Sequence, residues 1–110
     1  KYTNRSYSIA SAPSTDNIFE LCIVLNPKGM GTPYMWENYK VGTTVKLSRV
    51  LGKFQIPEPI DTDLCFICTG TGIAPLRSQV IDSLNRKVPL KNLYTTLFRS
   101  LIHGFWQPLD

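Results

Sequence analysis

Leu64-Cys65-Phe66-Ile67-Cys68-Thr69-Gly70-Thr71-Gly72-Ile73-Ala74-Pro75-Leu76-Arg77-Ser78 is the stretch on which the reading of this chain turns. Its first five residues form an unbroken apolar run, the pattern of a parallel strand covered on both faces. Glycine-rich Thr69 to Gly72 then breaks the run. Pro75 opens a helix in which Leu76, Val80, Ile81 and Leu84 recur at helical spacing, with Arg77, Gln79, Asp82, Ser83 and Arg86 elsewhere. Val88-Pro89-Leu90 ends that helix, and a second parallel strand is expected to begin near Leu93. The order strand, glycine loop, helix has a direct chemical use. Glycines let backbone amides approach a phosphate, and the helix N-terminus behind them adds free N–H groups and partial positive charge. The plain alternative is a tight strand-to-helix turn with no ligand. Pro75 stands where the dinucleotide fingerprint places its third glycine.

Upstream the pattern differs. Gln55-Ile56-Pro57-Glu58-Pro59-Ile60-Asp61-Thr62-Asp63 packs two prolines and three acids into a short run, which suits a stiff connector with solvated carboxylates. Before it, Tyr7 to Ala10 reads as a strand closed by the turn formers Ser11 to Asn17. Phe19 to Leu25 reads as a second strand, largely buried, stopped by Asn26-Pro27-Lys28-Gly29. Thr32 as N-cap and Pro33 at the first helical position predict a short helix from Pro33 to about Tyr39. Val45 to Leu51 has the two-residue period of a third strand.

The 110 residues are 43% apolar and 18% charged, which describes a globular chain of about one domain or pieces of two. A net charge of +4 is compatible with anionic ligands but too small to indicate nucleic acid. No apolar run approaches the roughly 20 residues that span a bilayer. Three cysteines are too few for a disulfide framework and no signal-peptide pattern opens the chain, so a reducing cytoplasm is expected. Cys65 and Cys68 are spaced as C-x-x-C, but side chains three apart on a strand point to opposite faces and cannot share a metal. All three cysteines are expected to be buried and structural, with no metal site. His103, the single histidine, has no nameable nucleophile and orienting acid, so no catalytic side chain is assigned.

Arg5-Ser6-Tyr7-Ser8 puts a guanidinium, an aromatic face and hydroxyls within four residues at a strand edge. A flat polar heterocycle bearing a diphosphate needs this combination, although an ordinary exposed strand end has the same composition.

Taken in order, Arg5-x-Tyr7-Ser8, Gly29-Met30-Gly31-Thr32, Gly52-Lys53-Phe54 and Thr69 to Ser78 resemble the motifs of the ferredoxin-NADP reductase family, a similarity running from about Asn4 to about Lys87. The resemblance implies the end of an antiparallel Greek-key flavin-binding β-barrel over residues 1–56 and a connector at 57–63. Residues 64–93 then open a parallel-sheet α/β domain for a nicotinamide nucleotide. It implies FAD and NAD(P)H as cofactors, with hydride passing to the flavin and electrons leaving to ferredoxin, flavodoxin or a haem or iron-sulfur carrier. Arg5 would hold the FAD diphosphate, Tyr7 would stack on the isoalloxazine, and Ser8 would face its N5 edge. Gly29, Met30, Gly31 and Thr32 would supply the second diphosphate contact. Thr69, Gly70, Thr71, Gly72, Ile73, Ala74 and Pro75 would receive NAD(P). The flavin, and no protein side chain, would carry the redox chemistry. The same motifs would serve the reductase domain of a flavohaemoglobin or of an oxygenase electron-transfer chain. A non-redox nucleotide-binding module, or a plain structural domain, are the alternatives from other classes.

Two further expectations concern the ends. Lys1 in place of an initiator Met predicts a segment of a longer protein. Tyr94-Thr95-Thr96-Leu97-Phe98-Arg99-Ser100 looks like a translated sequencing-library adapter, which predicts that residues 94–110 are non-native. Half a barrel and one β-α unit bury little, so the 110 residues alone are expected to fold weakly and to retain no flavin.

Overall fold

The computed structural model describes residues 3–88 and the backbone of residues 93–98. Its elements in chain order are helix α1 (Gly31–Asn38), strand β1 (Leu64–Thr69), a 3-10 turn (Gly70–Gly72), helix α2 (Ile73–Asn85) and strand β2 (Leu93–Phe98). β1 and β2 pair in parallel, with Leu64 opposite Leu93 and Thr69 opposite Phe98. Parallel neighbours need a crossover, and α2 lies between them in sequence as that crossover.

α2 covers one face of β1. Phe66, Cys68 and Leu76 form the buried cluster, with Ile56, Leu64, Ile73 and Val80 packed partly against it. Burial therefore alternates along the strand: Phe66 and Cys68 point inward, while Cys65 and Ile67 are exposed. The apolar run predicted cover on both faces, but α2 supplies cover for only one. Leu84, assigned by spacing to the inner face of the helix, is 60% exposed, and small Ala74 and Ser83 are buried instead. Ser83 is tolerated there because its hydroxyl donates to the Gln79 carbonyl one turn back, at 2.8 Å.

The first half of the chain is built differently. Ile9 and Leu21 form an isolated antiparallel bridge, and Ala10 N–H donates to the Glu20 carbonyl at 2.8 Å. The intervening turn forms where turn residues cluster. Asp16 accepts from the Ser14 hydroxyl and from Ile18 N–H, which hold its carboxyl below the usual range, and Asn17 takes φ +57°. The longer strands predicted for Phe19–Leu25 and Val45–Leu51 are not formed among the described residues. Phe19, Val24, Leu47 and Val50 are exposed rather than buried. Strand propensity reflects fit to a paired, half-buried surface, and neither run has a partner strand among the described residues.

α1 starts at Gly31, two residues earlier than predicted, and ends at Asn38. Thr32 is not its cap. Its hydroxyl accepts from Asn26 N–H at 2.8 Å and donates to the Asn26 carbonyl at 3.4 Å, pinning the preceding loop to the first turn. In the connector, Glu58 is not merely solvated: it pairs with Arg86 at the end of α2 at 2.7 Å, which raises the guanidinium pKa further. The expected strand near Leu93 is present as β2, and it continues into the run read as adapter-derived. Ladder pairing uses backbone groups that any β-tolerant sequence carries, so it is independent of that run's origin.

Candidate functional site

Two of the sequence-derived clusters meet in space although 26 positions separate them. A Cβ added at Gly31 would lie 3.1 Å from Cγ and 3.5 Å from Nε of Arg5, so the Arg5 side chain lies directly over the first residue of α1. Glycine leaves room for this approach, since a Cβ here would make the flexible arginine stem shift by a few tenths of an ångström. Tyr7 reaches the same helix, its hydroxyl 3.8 Å from Sδ of Met35, one turn further on.

This corner is electropositive from two sources. Met30 precedes α1 without a side-chain cap, the first turn contains no acid, and the N–H groups at the helix start are among those no helix can satisfy internally. Arg5 is exposed and donates Nη1–H to the Asn4 carbonyl at 2.8 Å, and among the described residues no carboxylate pairs with it. A guanidinium beside uncapped amides suits a phosphate or diphosphate. Gly29 sits in the tight turn that precedes the helix, its N–H donating to the Asn26 carbonyl at 2.9 Å. Met30 is 70% exposed, and Ser8 is exposed beside the half-buried Tyr7.

At the glycine loop, Thr69 leaves β1 in extended conformation and Gly70 takes φ +51°, the left-handed region that favours glycine. The 3-10 turn then feeds α2, and Ile73 N–H closes onto the Gly70 and Thr71 carbonyls. Gly72 has φ −60°, and a Cβ there would lie 3.6 Å from that of Cys68, ordinary van der Waals contact. Only Gly70 is therefore conformationally demanding. Thr69, Gly70, Thr71 and Gly72 are exposed, Ile73 and Pro75 are half-buried, and Ala74 is buried at 3%. Ala74 thus serves packing through its side chain, and Pro75, third in the helix, has no N–H to offer. The start of α2 is free of acids and lacks a side-chain cap, as at α1.

The cysteines divide. Cys68 is buried, and burial pushes its thiol pKa up, whereas Cys22 and Cys65 are exposed, against the expectation that all three are interior. Among the described residues no group of His, Cys, Asp and Glu side chains is placed to hold a metal ion, and no helix is long and apolar enough to cross a membrane. His103 lies outside the described residues.

Two contacts that sequence reasoning did not find connect the halves. Arg77 on α2 donates from Nη1 to the Ala10 carbonyl at 2.8 Å and to Oε2 of Glu20 at 2.7 Å. Gln79 donates to the Phe54 carbonyl at 3.2 Å. The partners are dozens of positions apart, and no local pattern signals such pairs. Residues Arg5 to Ala10 accordingly link the start of α1 to α2. Tyr7 and Ser8 lie along that span.

No family model matches the chain, and no solved structure matches it. It is 34% identical over 82 residues to the reductase component DmpP of phenol 2-monooxygenase from Pseudomonas sp. (strain CF600), covering 74% of this chain and 23% of that protein. A flavohemoprotein from Candida albicans is 30% identical over 92 residues, covering 84% of this chain and 23% of its own length. The electron transfer component of anthranilate 1,2-dioxygenase from Acinetobacter baylyi is 37% identical over 70 residues, covering 64% and 20% respectively. The chain spans less than a quarter of the length of these curated relatives. Over that span, the chain belongs with the ferredoxin reductase-type flavoprotein reductases.

Proposed function

We propose that this chain is the flavin- and nucleotide-binding stretch of a longer FAD-dependent oxidoreductase that takes electrons from NAD(P)H and delivers them to a carrier protein. The observation that carries the reading is the seating of Arg5 over Gly31 at the start of α1, which supports taking the two separate motifs as one anion site. The residues fit the group: Arg5 with the amides of Gly31 and Thr32 would hold the FAD diphosphate. Tyr7 would carry the ring, with Ser8 beside it. Thr69 to Pro75 would receive the nicotinamide nucleotide through backbone amides and exposed threonines. Bound FAD would supply the redox chemistry there, carrying the two electrons of a hydride from NAD(P)H to the acceptor one at a time with release of the proton.

The architecture belongs to the same proposal. Residues 1–56 would be the end of an antiparallel flavin barrel, supported by the Ile9–Leu21 bridge, and 57–63 a connector. Residues 64–93 would begin a parallel α/β domain, supported by the strand-helix-strand order and parallel pairing. A protein or haem acceptor is supported by relatives named as reductase or electron transfer components of oxygenases and as a flavohemoprotein, and within that class the carrier would be a ferredoxin, a flavodoxin or a haem or iron-sulfur protein. A cytoplasmic setting is supported by three free cysteines, two of them exposed.

The full-length protein carrying this segment should purify yellow with stoichiometric FAD and bleach on addition of NADH or NADPH under anaerobic conditions. A colourless protein that still binds NAD(P)H would instead be a non-redox nucleotide module.

A further inference from the structure

One guanidinium nitrogen bonds both sides of the isolated Ile9–Leu21 bridge to the helix that follows the glycine loop. Arg77 Nη1 donates to the Ala10 carbonyl and to Glu20 Oε2, at 2.8 and 2.7 Å. Its targets are themselves tied together. Ala10 N–H donates to the Glu20 carbonyl at 2.8 Å, Glu20 N–H donates to the Ser11 hydroxyl at 2.9 Å, and Ala10 is 4% exposed. A side chain bonded to so constrained a corner has little freedom, and charge-assisted bonds are the stronger kind.

The two ends of this link face chemistry. Ala10 lies two residues after Ser8, on the segment whose other end sits at α1. Arg77 lies one turn after Ile73, about 6 Å along the axis at roughly 1.5 Å per residue, on the same helix face. A rotation of α2 about β1 would move the glycine loop relative to Tyr7 and Ser8. Among the described residues, α2 is otherwise joined to what precedes β1 by the Gln79 bond to the carbonyl of the 69% exposed Phe54, by the Arg86–Glu58 pair in the connector and by Ile56 packed on the Phe66–Leu76 cluster.

We propose that Arg77 is a positioning residue that, through the Ala10 carbonyl and Glu20, sets the glycine loop at a fixed distance from the Tyr7–Ser8 segment and so aligns the nicotinamide with the flavin. The inference rests on the function proposed above and assigns to this side chain a role that neither motif contains. Misplacement by about 1 Å lowers a transfer rate by up to a hundredfold without removing binding.

The test uses the full-length protein and reads flavin content, the thermal melt, affinity for oxidised NAD(P)+ titrated by flavin absorbance, the long-wavelength absorbance of the complex, and the limiting anaerobic rate of flavin bleaching by NAD(P)H. Arg77→Met should retain full flavin and bind NAD(P)+ within about threefold of wild type, with bleaching slowed about tenfold to a hundredfold at saturating nucleotide. The long-wavelength absorbance of nicotinamide stacked on flavin should fall with it. Arg77→Lys should recover most of the rate, because both bonds come from one nitrogen and a single ammonium can make them. Glu20→Gln keeps the Ala10 bond and should slow bleaching only about threefold, the size of one weakened surface ion pair. Wild-type bleaching in Arg77→Met overturns the proposal, as does loss of flavin or of the cooperative melt, which would make Arg77 structural. A nucleotide affinity that falls in step with the rate, unrescued by lysine, would make it a ligand contact and likewise overturns positioning. A wild-type protein without flavin defeats the functional reading itself, and that result is visible before any variant is made.

Discussion

Residues 3–56 and residues 64–98 carry comparable apolar content yet hold together in opposite ways. The second region is a contiguous strand, turn, helix and strand, and its cluster of Phe66, Cys68 and Leu76 comes from residues at most ten apart. The first region is organised by contacts across long separations: Ile9 with Leu21, Arg5 with Gly31, Tyr7 with Met35. It leaves Phe19, Val24, Trp36, Leu47, Val50 and Phe54 exposed, and Ala10 is the sole buried apolar residue among those described there. Local contacts close with little loop entropy, so a β-α-β unit assembles from its own sequence, whereas a meander of strands acquires a core only when distant strands pair. A site built in the first region therefore depends on its surroundings far more than one built in the second.

The largest effect expected from breaking that comparison is on the compact region. Leu76→Ala should cost about 2 to 3 kcal/mol, the lower part of the range for buried leucine because its cluster has three buried members and partly exposed neighbours that can relax. In the full-length protein this should appear as a lowered melting transition reported by nucleotide protection, with flavin retained. Simultaneous loss of flavin would mean that the two regions melt as one unit.

Next in size, Arg5→Ala in the full-length protein should weaken FAD by about ten- to a hundredfold, equivalent to roughly 1.5 to 3 kcal/mol for a charge-assisted phosphate contact. Flavin release followed by fluorescence measures it, and unchanged affinity would sink the assignment of the anion site.

The two glycines of the nucleotide loop sharpen the contrast between backbone and ligand. Gly70→Ala forces a Cβ onto φ +51° and should lower stability by about 1 to 2 kcal/mol in thermal or denaturant unfolding. Gly72→Ala meets only Cys68 at ordinary contact distance and should shift stability by less than about 0.5 kcal/mol while weakening NAD(P)H. If Gly72→Ala instead unfolded the domain, the turn geometry described above would be wrong.

The smallest effect is chemical. Cys22 and Cys65 should alkylate readily at pH 8, with Cys68 slower by about tenfold or more, because burial both hides the thiol and raises its pKa. Peptide mapping after timed iodoacetamide treatment reads the order.

The strand at Leu64, the glycine turn, α2 and the start of β2 were legible in sequence because each is defined by neighbours within one helical turn or one strand length. The Arg5 and Gly29 to Thr32 motifs were legible as residue types suited to an anion. Which face of β1 is covered was not legible, since Cys65, Ile67, Phe66 and Cys68 are all apolar enough for either side and only the position of α2 separates them. Thr32 carries the chemistry of a cap, but Asn26 occupies its hydroxyl in three dimensions. The seating of Arg5 over Gly31, the Tyr7 contact with Met35 and the hold of Arg77 on Ala10 and Glu20 were decided by tertiary structure alone. Sequence determines what a side chain can bond and what its backbone can adopt within a few residues. Which of many chemically equivalent partners stands within hydrogen-bonding reach is set by how distant segments pack, and no spacing along the chain encodes that choice.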